Sequence, residues 1–163
     1  MPQAPGEYKR RRRASDPPPR RLRMRPDKRG ITTMGANTDI VKGIYAAFGE
    51  GRIAEIVARI ADKTDFIHSG GDAIPWSGNR TSPAAVAEFF QDLAAAVTVT
   101  EFTPAEYVET GDTVVAIGRW GGTAKSTGKP FSSTWSMTWK LRGGKVYFYE
   151  AFEDTASIAK AFH

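Results

Sequence analysis

The stretch Phe131-Ser132-Ser133-Thr134-Trp135-Ser136-Met137-Thr138-Trp139-Lys140-Leu141 alternates large apolar residues with small or polar ones. One parity carries Phe131, Ser133, Trp135, Met137, Trp139 and Leu141, the other Ser132, Thr134, Ser136, Thr138 and Lys140. An extended chain sends successive side chains to opposite faces, so this is a strand with one face toward an apolar interior. Its Ser/Thr face meets water or another subunit. The same period of two runs through Val99 to Val108, Val114 to Ala124 and Val146 to Phe152. The joints Thr110-Gly111-Asp112, Thr127-Gly128-Lys129-Pro130 and Arg142-Gly143-Gly144 have hairpin chemistry, which predicts a four-stranded antiparallel meander.

Upstream the period changes. Ile40, Val41, Ile44, Tyr45 and Phe48 recur at helical spacing after a capping Asn37 or Thr38, and Gly49-Glu50-Gly51 stops the helix. A second helix is predicted from Ile53 to Ala61. A short strand follows from Thr64 to His68, and then a loop from Ser69 to Asn79 rich in turn formers. Thr81 or Ser82 caps a third helix that has Pro83 in its first turn and buries Val86, Phe89, Phe90, Leu93 and Val97. Asp154 or Thr155 caps a last short helix through Ile158 and Phe162. Helices set to one side of an antiparallel sheet make the fold class α+β, a sheet packed on three helices.

The 163 residues suit one ordinary domain, and 40% hydrophobic content with 9 Phe, 5 Tyr and 4 Trp is enough for a packed core. Without any Cys, thiol nucleophiles, disulfides and zinc ribbons are excluded. With His only at His68 and His163, no multi-histidine metal centre is expected, and no cofactor fingerprint is present. No apolar run spans a bilayer and no secretory stretch is present, so the expectation is a soluble, cytoplasmic protein.

The overall charge of +5 is unevenly distributed. Residues 1–35 hold eleven basic against three acidic side chains, a net +8, and the remaining twelve basic and fifteen acidic ones give −3. This Arg- and Pro-rich tail cannot bury enough surface to offset its ordering entropy and is predicted to be disordered, leaving residues 36–163 as the domain. Arg11-Arg12-Arg13-Ala14-Ser15 suits a basophilic kinase, and the cluster also suits nucleic acid, an anionic surface or a nuclear address. Against these stands a chain that starts at Met34, because everything before it is compositionally foreign.

Two residues are candidates for chemistry. His68 ends the first strand before a glycine-rich loop, where imidazole can shuttle protons, although a lone His is as readily a hydrogen-bonded packing residue. Continuing the alternation through the last strand turns Val146, Phe148, Glu150 and Phe152 inward. Glu150 then sits among apolar neighbours, as a general acid or base or as a strand-end carboxylate that is paired with Arg119 or solvated. Trp76, Trp120, Trp135 and Trp139 with Phe148 read as core, some of them also lining a ligand cavity, and Arg119 beside Trp120 can clamp an anion.

Several local strings resemble the SnoaL-like branch of the nuclear-transport-factor-2-like superfamily, which also contains ketosteroid isomerase. They are Ile44-Tyr45-Ala46-Ala47-Phe48-Gly49-Glu50-Gly51, Trp76-Ser77-Gly78, Ala87-Glu88-Phe89-Phe90, Gly143-Gly144-Lys145-Val146 and Asp154-Thr155-Ala156. The resemblance covers about Thr38 to Phe162. It implies a curved, cone-like sheet around an apolar pocket and a homodimer through the outer sheet face. Tyr45, Trp76, Phe90, Trp135, Met137, Trp139 and Phe148 are then expected to line the pocket, with His68 and Glu150 as its catalytic pair. The isomerase tyrosine position falls on Ile44, its aspartic donor on Trp135 or Met137 and its base near His68, so classical ketosteroid isomerisation is not expected. What the resemblance implies instead is cofactor-independent acid–base chemistry, of the isomerase or cyclase kind, on an apolar carbonyl-bearing small molecule. A silent binding or dimerisation module and a basic-tailed adaptor are the alternatives.

Overall fold

The computed structural model describes residues 35–163, so the expectations for the tail lie outside the described residues. Three helices, α1 (Ala36–Gly49), α2 (Ile53–Val57) and α3 (Pro83–Ala96), precede a meander of β3 (Val97–Thr110), β4 (Thr113–Ala124), β5 (Pro130–Arg142) and β6 (Lys145–Glu153), and α4 (Thr155–Ala161) follows. Strand β1 (Ile60–His68) lies between α2 and α3. It is linked through a single 3₁₀ turn (Gly71–Ala73) to the three-residue β2 (Gly78–Arg80), where a loop was expected. The six strands form one open sheet in the order β2-β1-β6-β5-β4-β3. The meander is antiparallel as read, but β1 joins the free edge of β6 in parallel, so the sheet is mixed.

Local chemistry sets the helix ends. Ser82 Oγ accepts from the Ala85 amide at 3.3 Å with Pro83 behind it, and Asp154 Oδ1 accepts from the Ser157 amide at 3.0 Å. At α1 the cap comes from elsewhere. Gly35 supplies no side chain, and Glu109 of β3 accepts from the Thr38 amide at 2.8 Å and from its hydroxyl at 2.5 Å, tying the helix to the sheet. Helix α2 is shorter than its apolar pattern predicts, because the Arg59 carbonyl accepts from the Val146 amide and Ile60 pairs with Val146. A five-residue helix cannot hold the next turn against strand pairing. None of the described helices is long and apolar enough to cross a membrane.

The inward parity of β5 is as expected: Phe131, Ser133, Trp135, Met137, Trp139 and Leu141 are buried. In β6 it is reversed. Leu141 pairs with Val146 and Lys140 with Phe148, which leaves Tyr147 as an extra residue in a β-bulge. Beyond it Tyr149, Ala151 and the side chain of Glu153 face the helices, while Phe148, Glu150 and Phe152 face outward. Glu150 therefore does not enter the interior, and Phe148 lies under the Lys140 ammonium, 5.0 Å from its ring centroid.

Trp135 depends on a glycine. Gly118 pairs with it across β4 and β5, and a Cβ added at Gly118 would lie 2.4 Å from the indole and 2.5 Å from the Thr103 carbonyl oxygen. Such contacts demand a backbone shift. Gly118→Ala is expected to lower stability by about 1–3 kcal/mol, measured as a reduced denaturant midpoint at an unchanged slope.

Candidate functional site

Between the inner sheet face and α1 and α3 lies a cavity of about 60 Å³, walled by aromatic rings. Helix α1 contributes Tyr45, and β5 contributes Met137 and Trp139. Tyr45 Oη accepts from the Trp139 indole at 2.8 Å and donates to Met137 Sδ at 3.5 Å, so this side of the wall satisfies itself. Burial pushes the Tyr45 phenol far above its ordinary value, against the smaller opposing effect of the Trp139 bond. Phe48, Phe90 and Phe102 are half-buried lining residues, Phe48 in ring contact with each of the other two, and they form the rim between α1, α3 and β3.

The opposite end is polar and unsatisfied. His68 is 5% exposed at the end of β1, paired across from Ala151, and the Glu153 side chain two residues farther along β6 is 2% exposed. His68 Nε2 stands 3.3 Å from Glu153 Oε2. This contact is not aligned as a hydrogen bond, and Oε2 has no other hydrogen-bond partner among the described residues. His68 Nδ1 is 3.2 Å from the Ser69 carbonyl oxygen, which can only accept, so the hydrogen is assigned to Nδ1. The imidazole and the carboxyl group therefore meet inside the wall, within reach of one another for a proton. Breaking such a buried pair typically costs about 3–5 kcal/mol.

Two further polar atoms share this end. The indole nitrogens of Trp76 and Trp120 are buried without a partner among the described residues, and both rings line the cavity. The two rings meet edge to face at 6.0 Å, and Trp76 is also 6.0 Å from the His68 ring. Each such N–H left unbonded costs about 1–3 kcal/mol.

Of the residues expected to line the pocket, Tyr45, Trp76, Phe90, Met137 and Trp139 do so, and His68 faces it. Trp135 does not. Gly118 lets its indole lie against β4, where it stacks on Phe102 at 5.3 Å behind the wall. Phe148 and Glu150 are turned outward by the bulge, and Arg119 is exposed on the outer face of β4 and so clamps nothing in the cavity. The alternation missed Glu153 because it was counted through the bulge. Trp120, read as core, and Tyr149 also belong to the lining.

Tyr149 is fully buried, stacked on Phe66 at 4.0 Å, and its phenol is held well above the ordinary range by burial, reinforced by Tyr45 and Glu153. Folded, Tyr45 and Tyr149 keep their protons where the unfolded chain loses them, near pH ~10. Above that pH the native state binds more protons than the unfolded one, so stability falls as pH rises. Their phenolate absorbance is expected to appear only together with unfolding, and Tyr45→Phe or Tyr149→Phe should each flatten the alkaline slope of stability by about one proton.

The comparisons agree with this fold. The sequence model of the SnoaL-like domain matches residues 41–149. No curated protein matches the chain. Among solved structures, an NTF2-like protein of Burkholderia xenovorans LB400 is 30% identical and matches 82% of this chain and 100% of its own with a TM-score of 0.72. A second, from Burkholderia thailandensis E264, is 29% identical over 80% of this chain and 99% of its own, also with a TM-score of 0.72. TerC, co-crystallised with polyporic acid, shares the fold at 22% identity, covering 77% of this chain and 97% of its own with a TM-score of 0.67.

Proposed function

The chain belongs to the SnoaL-like family, and from that premise we propose that its cavity takes a small carbonyl compound and that His68 and Glu153 move a proton at the carbon beside the carbonyl. The observation that carries this reading is the buried His68–Glu153 pair at one end of an otherwise apolar hollow. A carboxyl group beside an imidazole away from water offers a base and an acid in one unit, and removal and return of a substrate proton leaves that unit unchanged. The aromatic lining favours a flat, apolar body, and the co-crystallisation of TerC with polyporic acid supports a small-molecule role for the fold. At 60 Å³ the hollow is well below the roughly 300 Å³ of a pocket for drug-sized ligands. It is also smaller than the roughly 150 Å³ cavity that admits one benzene ring, so Phe48, Phe90 and Phe102 must turn aside for a ring compound to enter.

Deuterium exchange into small cyclic ketones, 2-indanone first, tests this by proton NMR. Wild type is expected to accelerate exchange at the carbons beside the carbonyl, and Glu153→Gln and His68→Gln should each lower the enzymatic rate by about 10²- to 10⁴-fold while remaining folded. Exchange no faster than in buffer, or variants as fast as wild type, would refute the proposal.

We further propose that two copies associate through the outer sheet face. Val108, Ile117 and Phe152 are 57%, 42% and 55% exposed there, and Phe152 and Ile117 both pair with Ser136, which gives a low apolar surface across three strands. Wild type should sediment at twice the chain mass, and Ile117→Glu combined with Phe152→Glu should sediment as a monomer with an unchanged circular dichroism spectrum. A monomeric wild type at micromolar concentration removes this proposal.

A further inference from the structure

Five buried side-chain polar atoms lack a hydrogen-bond partner among the described residues: Thr64 Oγ1, Glu153 Oε2 and the indole nitrogens of Trp76, Trp120 and Trp135. Three of them, on Trp76, Trp120 and Glu153, belong to residues that line the same cavity. Buried polar groups are almost always bonded, so a cluster of exceptions around a hollow marks the complement of something that enters it. An indole N–H can only donate and does not ionise at ordinary pH, so two of them select an oxygen acceptor and reject an ammonium group. On the other side of the wall the Trp139 N–H is already taken by Tyr45.

We infer that the indole N–H groups of Trp76 and Trp120 receive the ligand's carbonyl oxygen and the negative charge it acquires as the neighbouring carbon loses its proton. This rests on the proton-transfer reading of the His68–Glu153 pair. Trp76 is the link in the geometry, in ring contact with Trp120 on one side and His68 on the other, both at 6.0 Å. A carbonyl oxygen set between the indoles brings its neighbouring carbon toward the pair. The C–H bond breaks, its proton goes to the Glu153 carboxylate, and its electron pair becomes the enolate carbon–carbon double bond as charge moves to the oxygen. Return of the proton to carbon restores the pair, with no oxidant or reductant consumed. Preset donors in a water-poor site stabilise that charge far better than water does. The substrate class is thus an enolisable ketone or its phenol-like tautomer, not an amine, and not a hydrocarbon of the same shape.

Three readouts on the full chain test the inference with 2-indanone and its carbonyl-free isostere indane. Wild type should bind 2-indanone at least tenfold more tightly than indane by tryptophan fluorescence. Trp76→Phe and Trp120→Phe should each narrow that ratio at least threefold, whatever they do to indane affinity itself, and slow ketone exchange about 10- to 100-fold. On wild type alone, two of the four indole N–H signals of ¹⁵N-tryptophan-labelled protein should shift downfield with 2-indanone but not with indane, which keeps the test decisive if a variant fails to fold. Equal affinity for the two compounds, no binding of either, or unmoved indole signals would each overturn the inference. The two proposals separate cleanly: Glu153→Gln losing exchange while both tryptophan variants keep the ketone preference sinks only the donor assignment. A tryptophan-dependent ketone preference in a wild type that exchanges no protons sinks only the acid–base reading.

Discussion

Tyr147, the extra residue of β6, is the constraint on which the interior of this fold depends. Its insertion between the Leu141–Val146 and Lys140–Phe148 pairs advances the alternation by one, so that Tyr149, Ala151 and Glu153 face the helices beside Trp139, Met137 and Trp135. A bulge also bends its strand and sharpens the local twist. Ala151 then places a small side chain beside His68, leaving room for the ring to approach Glu153. The Tyr147 hydroxyl donates to Asp112 in the β3–β4 turn, which anchors the bulged residue on the exposed side.

The site built on that bulge combines two opposed environments in one hollow. Tyr45, Met137 and Trp139 bond to one another within the wall, and the result is an apolar surface. Around His68, Glu153, Trp76 and Trp120 the wall is equally buried but underbonded. Low effective dielectric strengthens any interaction made at that second end and penalises any left unmade. Retaining such a cluster costs stability, a pattern common where function outweighs folding.

Most of the fold was legible from periodicity alone. The β5 faces, the hairpin turns, the Ser82 and Asp154 caps and the α3 stripe depend on short-range chemistry, and the sequence displays it directly. Three features were not legible, each because a tertiary partner decides it. Helix α2 yields to pairing of Ile60 with Val146, α1 takes its cap from Glu109 seventy-one residues away, and β2, reading Gly78-Asn79-Arg80, has no apolar residue to show a period. The bulge was hidden for a different reason. Val146-Tyr147-Phe148-Tyr149 is apolar or aromatic at every position, so both registers fit it and the carboxylate nearest the assumed inward parity, Glu150, stood in for Glu153. The lining survived this slip because six of its seven expected members lie on other elements or on β5, and five of those six line the cavity.

Glu153 and Asp154 are consecutive, yet one points into the cavity and the other caps α4 in solvent. Ser133 Oγ receives the Asp154 amide at 2.9 Å, and hydrogen bonds from the Ser157 amide and hydroxyl hold the Asp154 carboxyl below the usual carboxylate range. The corner is clamped on both sides, with Ile158 buried to seat the helix. Any change in how this seven-residue helix seats is therefore passed to Glu153 through a single intervening residue, which makes α4 a brace for the cavity wall.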